Sequence, residues 1–283
     1  MSGEPQLRCY MNLMALDSLP ADSAGPKGAF TEKLASLAEA GFTGVQFATL
    51  GTREQLAACR DLKMGFAASG RVNLPEDAYS LTERTAGDGY ECATLHVGWG
   101  LEDDDVAGRL IESILDASAR SKIPLYIETH RATLCQDLWR TVQFIERFPE
   151  MRFNGDFSHW YAGQEMVYGG FEQKFAFITP VLERVRFLHG RIASPGCIQI
   201  AVCSERDQLA PYVDHFRHLW TASFRGFLRN AKPGDWICFT PELLGPEIYY
   251  ARTFQGKEES DRWEQSLILK GIADQCFSSA GSC

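Results

Sequence analysis

Short apolar runs alternate with longer segments of helical periodicity along the whole chain, and this alternation restricts the fold more than any other feature. Eight runs have the composition and length of strands: residues 7–13, 44–47, 63–69, 92–97, 124–128, 151–156, 185–189 and 236–240. The intervening segments predict helices at residues 31–40, 52–62, 76–85, 105–121, 133–147, 172–183, 211–230 and 260–276. Strands that alternate with helices form parallel sheets, so we predict an α/β fold, a single (β/α)8 TIM barrel domain over residues 1–283.

A doubly wound open sheet is the alternative arrangement of the same elements. Such sheets usually carry a glycine fingerprint, G-x-G-x-x-G, after the first strand, and residues 13–28 contain nothing of that form. The length of 283 residues suits one barrel. Two connections, residues 158–171 and 191–235, are longer than simple crossovers, and long loops in compact domains are often functional.

Composition narrows the range of partners. The net charge of −9 argues against nucleic acid as a partner, because proteins bind the phosphate backbone through a basic face. Nine cysteines without a C-x-x-C pair suggest reduced thiols in a cytoplasmic environment. We expect no membrane association and no secretory signal, because no apolar run approaches eighteen residues and the N-terminus lacks a basic segment followed by an apolar one.

Ionisable residues recur where the predicted strands end. His96 ends strand four, Glu128 strand five, Asp156 strand six and His189 strand seven, while Glu242 follows strand eight. The carboxyl ends of barrel strands converge on the face where active sites are found. Burying carboxylates there is costly unless a positive charge offsets them, and a divalent cation would do so.

Glu128, Asp156, His189 and Glu242 form the predicted metal site, each at the same register of a different strand. Alone, each has an ordinary explanation: a solvated loop carboxylate, a helix cap or a satisfied core histidine. Three carboxylates and one imidazole suit Mn²⁺ or Mg²⁺, with Co²⁺ or Zn²⁺ as alternatives, and the absence of a thiolate argues against a structural zinc. We therefore predict one bound divalent metal ion.

Aromatic residues just beyond strands four, six and eight are predicted to wall the pocket, since sugar rings stack on such surfaces. These are Trp99, Trp160 and Tyr249. The simpler explanation is that they cover the barrel rim.

Several short segments resemble the xylose isomerase-like TIM barrels, the sugar phosphate isomerase/epimerase superfamily. They are TLH at residues 94–96, IETH at 127–130, GDFSHW at 155–160, HGR at 189–191 and TPELLGP at 240–246. Each is weak alone, but their order on successive strands is specific, and the resemblance covers nearly the whole chain.

The resemblance implies that Glu128, Asp156, His189 and Glu242 hold one catalytic metal, and that the two glutamates also move protons. It further implies that His159 and Arg191 contact substrate or a metal-bound water, with His96 as a pocket histidine. Homodimers and homotetramers are common on this fold. Where many members carry a glutamate after strand two, this chain has Gln46, and it lacks the second metal site of true xylose isomerases and most of the ligands that endonuclease IV needs.

The implied activity is that of a metal-dependent isomerase or epimerase in carbohydrate metabolism. Its substrate would be a sugar, or a sugar-like polyol or keto acid, and Glu-mediated proton transfer would pass through a metal-stabilised enediolate. One alternative is a lyase or dehydratase on the same scaffold, because a fold does not determine a reaction. A non-catalytic sugar-binding barrel is another. Metal-dependent hydrolysis would require more basic residues than Arg131 and Arg191.

Overall fold

A computed structural model describes residues 3–203 and 205–282, and eight parallel strands in it close into a barrel in chain order. The strands are β1 Gln6–Asn12, β2 Gly44–Phe47, β3 Gly65–Val72, β4 Cys92–Val97, β5 Leu125–Glu128, β6 Phe153–Gly155, β7 Val185–Gly190 and β8 Trp236–Pro241. β8 pairs with β1 and completes the closure. The predicted (β/α)8 barrel is therefore confirmed.

Helices follow the strands and cover the outside of the barrel. They are α1 Phe30–Glu39, α2 Arg53–Asp61, α3 Pro75–Asp88, α4 Asp104–Ser121, α5 Leu138–Arg147, α6 Phe157–Gly163, α7 Phe171–Leu182, α8 Glu205–Gln208, α9 Pro211–Leu228 and α10 Arg262–Gly281. Two 3₁₀ turns, Leu13–Leu16 and Pro246–Ile248, and a hairpin of β9 Thr253–Phe254 with β10 Lys257–Glu258 complete the elements. None of the helices in residues 3–203 and 205–282 has the length and apolarity to cross a membrane.

Side chains at the helix ends decide where several helices begin. Thr52 and Gln55 form the predicted capping box of α2, the Thr52 amide donating to Gln55 Oε1 at 2.8 Å. Asp137 caps α5, whose amide at Arg140 donates to Asp137 Oδ1 at 2.8 Å, so this helix starts later than the predicted residue 133. Asp156 caps α6, which the sequence pattern had assigned to a loop.

The barrel interior changes from apolar to polar along the strands. Alternate residues of a strand face inward, and the inward residues nearest the amino ends form a small apolar floor: Tyr10, Ala67, Cys92, Phe187 and Cys238, with Tyr126 and Trp236 packed against it. Two residues further along the same strands, the inward positions are Asn12, Ser69, Thr94, Glu128, His189 and Thr240. The apolar floor thus supports a polar layer at the carboxyl ends, while the main core lies between the barrel and its helices.

Candidate metal centre

The four predicted ligands meet at the carboxyl end of the barrel. Glu128 ends β5, Asp156 caps α6, His189 lies in β7 and Glu242 follows β8. One donor atom from each lies within 4.8 Å of the others. His189 Nδ1 is 3.5 Å from Glu128 Oε2, 3.4 Å from Glu242 Oε2 and 3.9 Å from Asp156 Oδ2. The imidazole is therefore enclosed by three carboxylates.

The ligands do not share one register, and this corrects the expectation from the sequence. Glu128 pairs with Asn154, and His189 pairs with Thr240. Asp156 and Glu242 each lie two residues beyond those partners. Because inward-facing residues recur at every second position, the shift keeps all four side chains facing the same space.

Gln46 determines which nitrogen of His189 faces the carboxylates. Gln46 Oε1 lies 3.0 Å from His189 Nε2, and an amide oxygen can only accept a hydrogen bond. His189 Nε2 therefore carries a proton, and the lone pair of the neutral ring lies on Nδ1, which faces the carboxylates and also accepts from Asn154 Nδ2 at 3.1 Å. Metal-binding histidines are usually held in this way by an acceptor at the second nitrogen.

The amide of Gln46 is itself held by four side chains. Its Oε1 also accepts from Asn12 Nδ2 at 3.0 Å, and its Nε2 donates to Ser69 Oγ at 3.1 Å and to Thr94 Oγ1 at 3.0 Å. Asn12 Nδ2 is also 3.2 Å from Glu242 Oε1. Gln46, which stands where many members of the resembled superfamily carry a glutamate, is thus a buried residue that positions the predicted ligands.

Arg191 is fully buried behind the ligands rather than in open space. Its guanidinium pairs with Asp156, lies 3.1 Å from Glu242 Oε2 and donates to Ser158 Oγ at 3.0 Å. His159 is also buried, and its Nε2 accepts from Arg191 at 3.1 Å. Arg191 therefore orients the ligand carboxylates directly, and His159 does so through Arg191. Both side chains lie behind the ligands in this structure, away from the position in which they were expected to contact substrate.

The pKa values reveal an excess of negative charge in the cluster. Burial opposes ionisation of Glu128, but His189 and His96 hold its pKa well below the ordinary value. Burial likewise opposes ionisation of Asp156, but Arg191 and His159 favour it, and the pKa of Asp156 is lowered as well. Burial and the two neighbouring carboxylates raise the pKa of Glu242 to about 7, while the carboxylates raise that of His189 to about 9 against the effect of burial. Protons thus occupy positions that a cation would otherwise neutralise.

The donor set fits a divalent cation. Donor atoms that share one metal ion lie about 3–4 Å apart when metal–ligand bonds are about 2.1 Å. The distances of 3.4–3.9 Å between His189 Nδ1 and the three carboxylates are in this range. When His189 is neutral, the three ligand carboxylates and the Arg191 guanidinium have a combined charge of −2. A divalent ion would balance this charge. Glu128, Asp156, Glu242 and His189 Nδ1 are the residues that would hold it.

A second group of ligand types, His96, Glu128 and His130, lies beside the first, but its hydrogen bonds suit a different role. Arg71 Nη2 lies 3.3 Å from His96 Nδ1, and a guanidinium only donates. His96 Nε2 therefore carries a proton, which is directed at Glu128 Oε1 3.4 Å away. This arrangement makes His96 a hydrogen-bond donor that orients Glu128 rather than a metal ligand.

A cavity of about 660 Å³ opens directly onto the cluster. Three of the four ligands line it, Glu128, His189 and Glu242. Most other polar groups in its wall come from the opposite half of the barrel: Asn12, Thr49, Ser69, Arg71, Thr94 and His96. The barrel mouth is thus divided, with the ligands on β5 to β8 and hydrogen-bonding groups mainly on β1 to β4.

The aromatic wall differs from the prediction. Trp160 is fully buried in α6 and its indole N–H donates to the Cys135 carbonyl at 2.7 Å, so the expected substrate contact is wrong and the ring belongs to the core. Tyr249 is 92% exposed, and its neighbour Tyr250 lines the cavity instead, with the Arg191 guanidinium 4.8 Å from its ring. Trp99, 54% exposed, packs on Arg71 at the rim.

Comparison with solved structures identifies the fold. The barrel is similar to the probable 3-DHS dehydratase AsbF of Bacillus anthracis (TM-score 0.60, 13% identity, 94% of this chain and 98% of that one). It also resembles a xylose isomerase domain protein of Planctomyces limnophilus (0.57, 12%, 99% and 100%) and endonuclease IV of Thermus thermophilus (0.55, 15%, 95% and 99%). No family model and no curated protein matches the sequence. These likenesses show that the chain has the xylose isomerase-like barrel fold.

Proposed function

We propose that the protein is a divalent-metal-dependent enzyme that isomerises or epimerises a small polyhydroxylated substrate, with Glu128 and Glu242 moving the proton. The observation that carries the proposal is the pair of glutamates at one cavity, held beside His189 with pKa values shifted in opposite directions. Environments that separate the pKa values of two like groups are typical of acid–base pairs.

The two carboxyl groups have complementary proton states near neutral pH. Glu128 is ionised and can accept a proton, and its orientation is set by His96 at Oε1 and by Asn154 Nδ2, which donates to Oε2 at 3.0 Å. In the metal-free protein Glu242 has a pKa raised to about 7; it would give up its proton on ligating the cation, and it could then serve as the second base. A bound divalent cation would polarise a substrate carbonyl and so acidify the neighbouring C–H bond.

The size and lining of the cavity support a small sugar-like substrate. Its volume of about 660 Å³ is in the usual range for small-molecule sites. The hydroxyl groups of Ser69, Thr94 and Thr49 and the amide of Asn12 can exchange hydrogen bonds with substrate hydroxyls. Return of the proton to the opposite face would give epimerisation, and return to the adjacent carbon would give aldose–ketose isomerisation.

The test is exchange of solvent deuterium into a panel of ketoses and keto acids, after reconstitution with Mn²⁺ or Mg²⁺. Glu128→Gln and Glu242→Gln should each remove exchange while keeping the fold, as judged by circular dichroism. Glu112→Gln is the matched control, because Glu112 is an exposed carboxylate on α4. Undiminished exchange in both site variants would refute the proposal, and a product lighter by one water would reassign the chemistry to a lyase.

A further inference from the structure

Arg71 is a fixed cation in the cavity wall that contacts the proposed proton-transfer residues only through His96. It lies at an inward position of β3, half-buried. Its Nη1 donates to the Gly98 carbonyl at 2.9 Å, its Nη2 lies 3.3 Å from His96 Nδ1, and its Cζ lies 4.1 Å from the centroid of the Trp99 ring. These contacts hold the guanidinium in place, yet it forms no ion pair with a carboxylate in the described part of the chain. Two of its five N–H groups are used in these contacts, and Arg71 lines the cavity.

Arg84 adds a second positive charge to the same cavity. It lies on α3, where it is exposed, and it lines the cavity with Arg71. Within residues 3–203 and 205–282 it too has no carboxylate partner. Asp77, the lining carboxylate of this helix, accepts hydrogen bonds from the amides of Asn73 at 2.9 Å and Leu74 at 2.8 Å.

The charge balance of the cavity is therefore positive once the metal centre is filled. A divalent ion together with Arg191 balances the three ligand carboxylates. Among the lining residues, Asp77 alone then opposes Arg71 and Arg84, while the carboxylate of Glu102, which also acts on Arg71, lies outside the cavity wall. The chain as a whole has a net charge of −9, so the positive charge of the cavity reflects where Arg71 and Arg84 are placed. Such a cavity would attract an anion.

We propose that the substrate carries an anionic group, a carboxylate or a phosphate, which Arg71 binds beside Trp99 while Arg84 adds long-range attraction. The inference rests on the proposed function, because the metal centre must hold the other, polyhydroxylated part of the substrate. A guanidinium held over an aromatic ring suits such a role, since its fork of donors matches the oxygens of either anion.

Isothermal titration calorimetry with the Mn²⁺-loaded protein tests the proposal. The probes are D-glucitol, D-gluconate and D-glucitol 6-phosphate. Each anionic probe differs from D-glucitol at one terminal carbon, C1 in D-gluconate and C6 in D-glucitol 6-phosphate. The wild type should bind one anionic probe at least about tenfold more tightly than D-glucitol, because a charge-assisted pair contributes about that factor. Arg71→Met should abolish this preference while the variant still binds Mn²⁺ and D-glucitol, since Arg71 contacts the ligand Glu128 only through His96, and Arg71→Lys should restore part of the preference.

Arg120→Met is the matched control. Arg120 also lies over an aromatic ring, 5.7 Å from that of Tyr79, but it lies on the surface of α4 and pairs with Asp116 at 2.8 Å. If Arg71→Met fails to fold, Arg84→Met replaces it, with an expected loss of the preference of about two- to threefold.

Preference for D-gluconate identifies a carboxylate, and preference for D-glucitol 6-phosphate identifies a phosphate. Equal binding of all three probes by the wild type overturns the proposal, as does a preference that persists unchanged in Arg71→Met, since it would come from the metal alone. Metal content of the same samples separates the two hypotheses. Stoichiometric metal without an anion preference refutes only this inference, whereas absence of metal refutes the proposed function.

Discussion

Metal affinity should depend steeply on pH, because a proton and the metal compete for the same nitrogen. His189 Nδ1, with a pKa raised to about 9, must lose its proton before it can ligate. Below that pKa each pH unit costs a factor of about ten in apparent affinity, or about 100-fold between pH 8 and pH 6. Glu242, with a pKa raised to about 7, adds about another tenfold over this interval. The expected loss is thus about 1000-fold, or about 4 kcal/mol.

The stability of the metal-free protein should change in the opposite direction. Both groups have folded-state pKa values above their ordinary values of 6.5 and 4.5. Their stabilising contributions are complete below those ordinary values and are lost as the pH rises through about 7 for Glu242 and about 9 for His189. The melting temperature gained on adding metal should therefore be larger at pH 8 than at pH 6.

Electron paramagnetic resonance of free Mn²⁺ at pH 6, 7 and 8 measures the affinity directly. Calorimetry at pH 7 in buffers of different ionisation enthalpy should show release of about 1.5 protons for each bound ion. Glu242→Gln should bind more weakly but with a shallower pH slope, while His218→Gln, which removes an exposed imidazole, should leave the slope unchanged. An affinity that varies less than tenfold between pH 8 and pH 6 would refute the reasoning.

Three substitutions test the groups around the ligands. Gln46→Leu removes the acceptor for His189 Nε2 and should weaken Mn²⁺ binding about 10- to 100-fold in a chelator competition, with Gln46→Glu restoring most of it. Trp160→Phe removes the hydrogen bond to Cys135 and should lower the free energy of unfolding by about 1–3 kcal/mol in a denaturant titration; a loss of metal affinity instead would return Trp160 to the site. Arg191→Met leaves two ligand carboxylates unpaired and should destabilise the metal-free protein by about 3–5 kcal/mol but the loaded protein less, a difference that melting curves with and without Mn²⁺ would reveal.

The fold could be predicted from the sequence because its signal is local and repeated. The strand bounds 44–47 and 92–97 agree with the structure, and the other strand ends differ from the prediction by at most three residues. The main omission is α6, which starts directly after Asp156. Its short sequence, FSHWYAG, has no clear helical periodicity, and its formation depends on the Asp156 cap and on burial of Trp160.

The ligands could be predicted because each lies at or just beyond a strand end, whereas their supporting residues could not. Gln46 contacts His189 from a position 143 residues away in the chain, and Asn154 reaches Glu128 across a strand pair. Such contacts depend on register and strand tilt, which no single segment encodes. The one available signal was the alternation of inward and outward residues along each strand, because Gln46 and Asn154 are polar residues at inward positions of otherwise apolar strands.

Division of the barrel mouth separates the chemistry from the choice of substrate. The ligands come from β5 to β8, so the metal centre depends on that half of the barrel and on Gln46. Most polar groups that face the open cavity, among them Asn12, Ser69, Arg71 and Thr94, come from strands that carry no ligand. Substitutions at Ser69 or Arg71 would remove no ligand, but each would loosen a positioning residue, Gln46 or His96, so Mn²⁺ affinity must be measured beside substrate binding. Under the proposed function, the groups of β1 to β4 would set the specificity for substrate, because the four ligands come from the other half of the barrel.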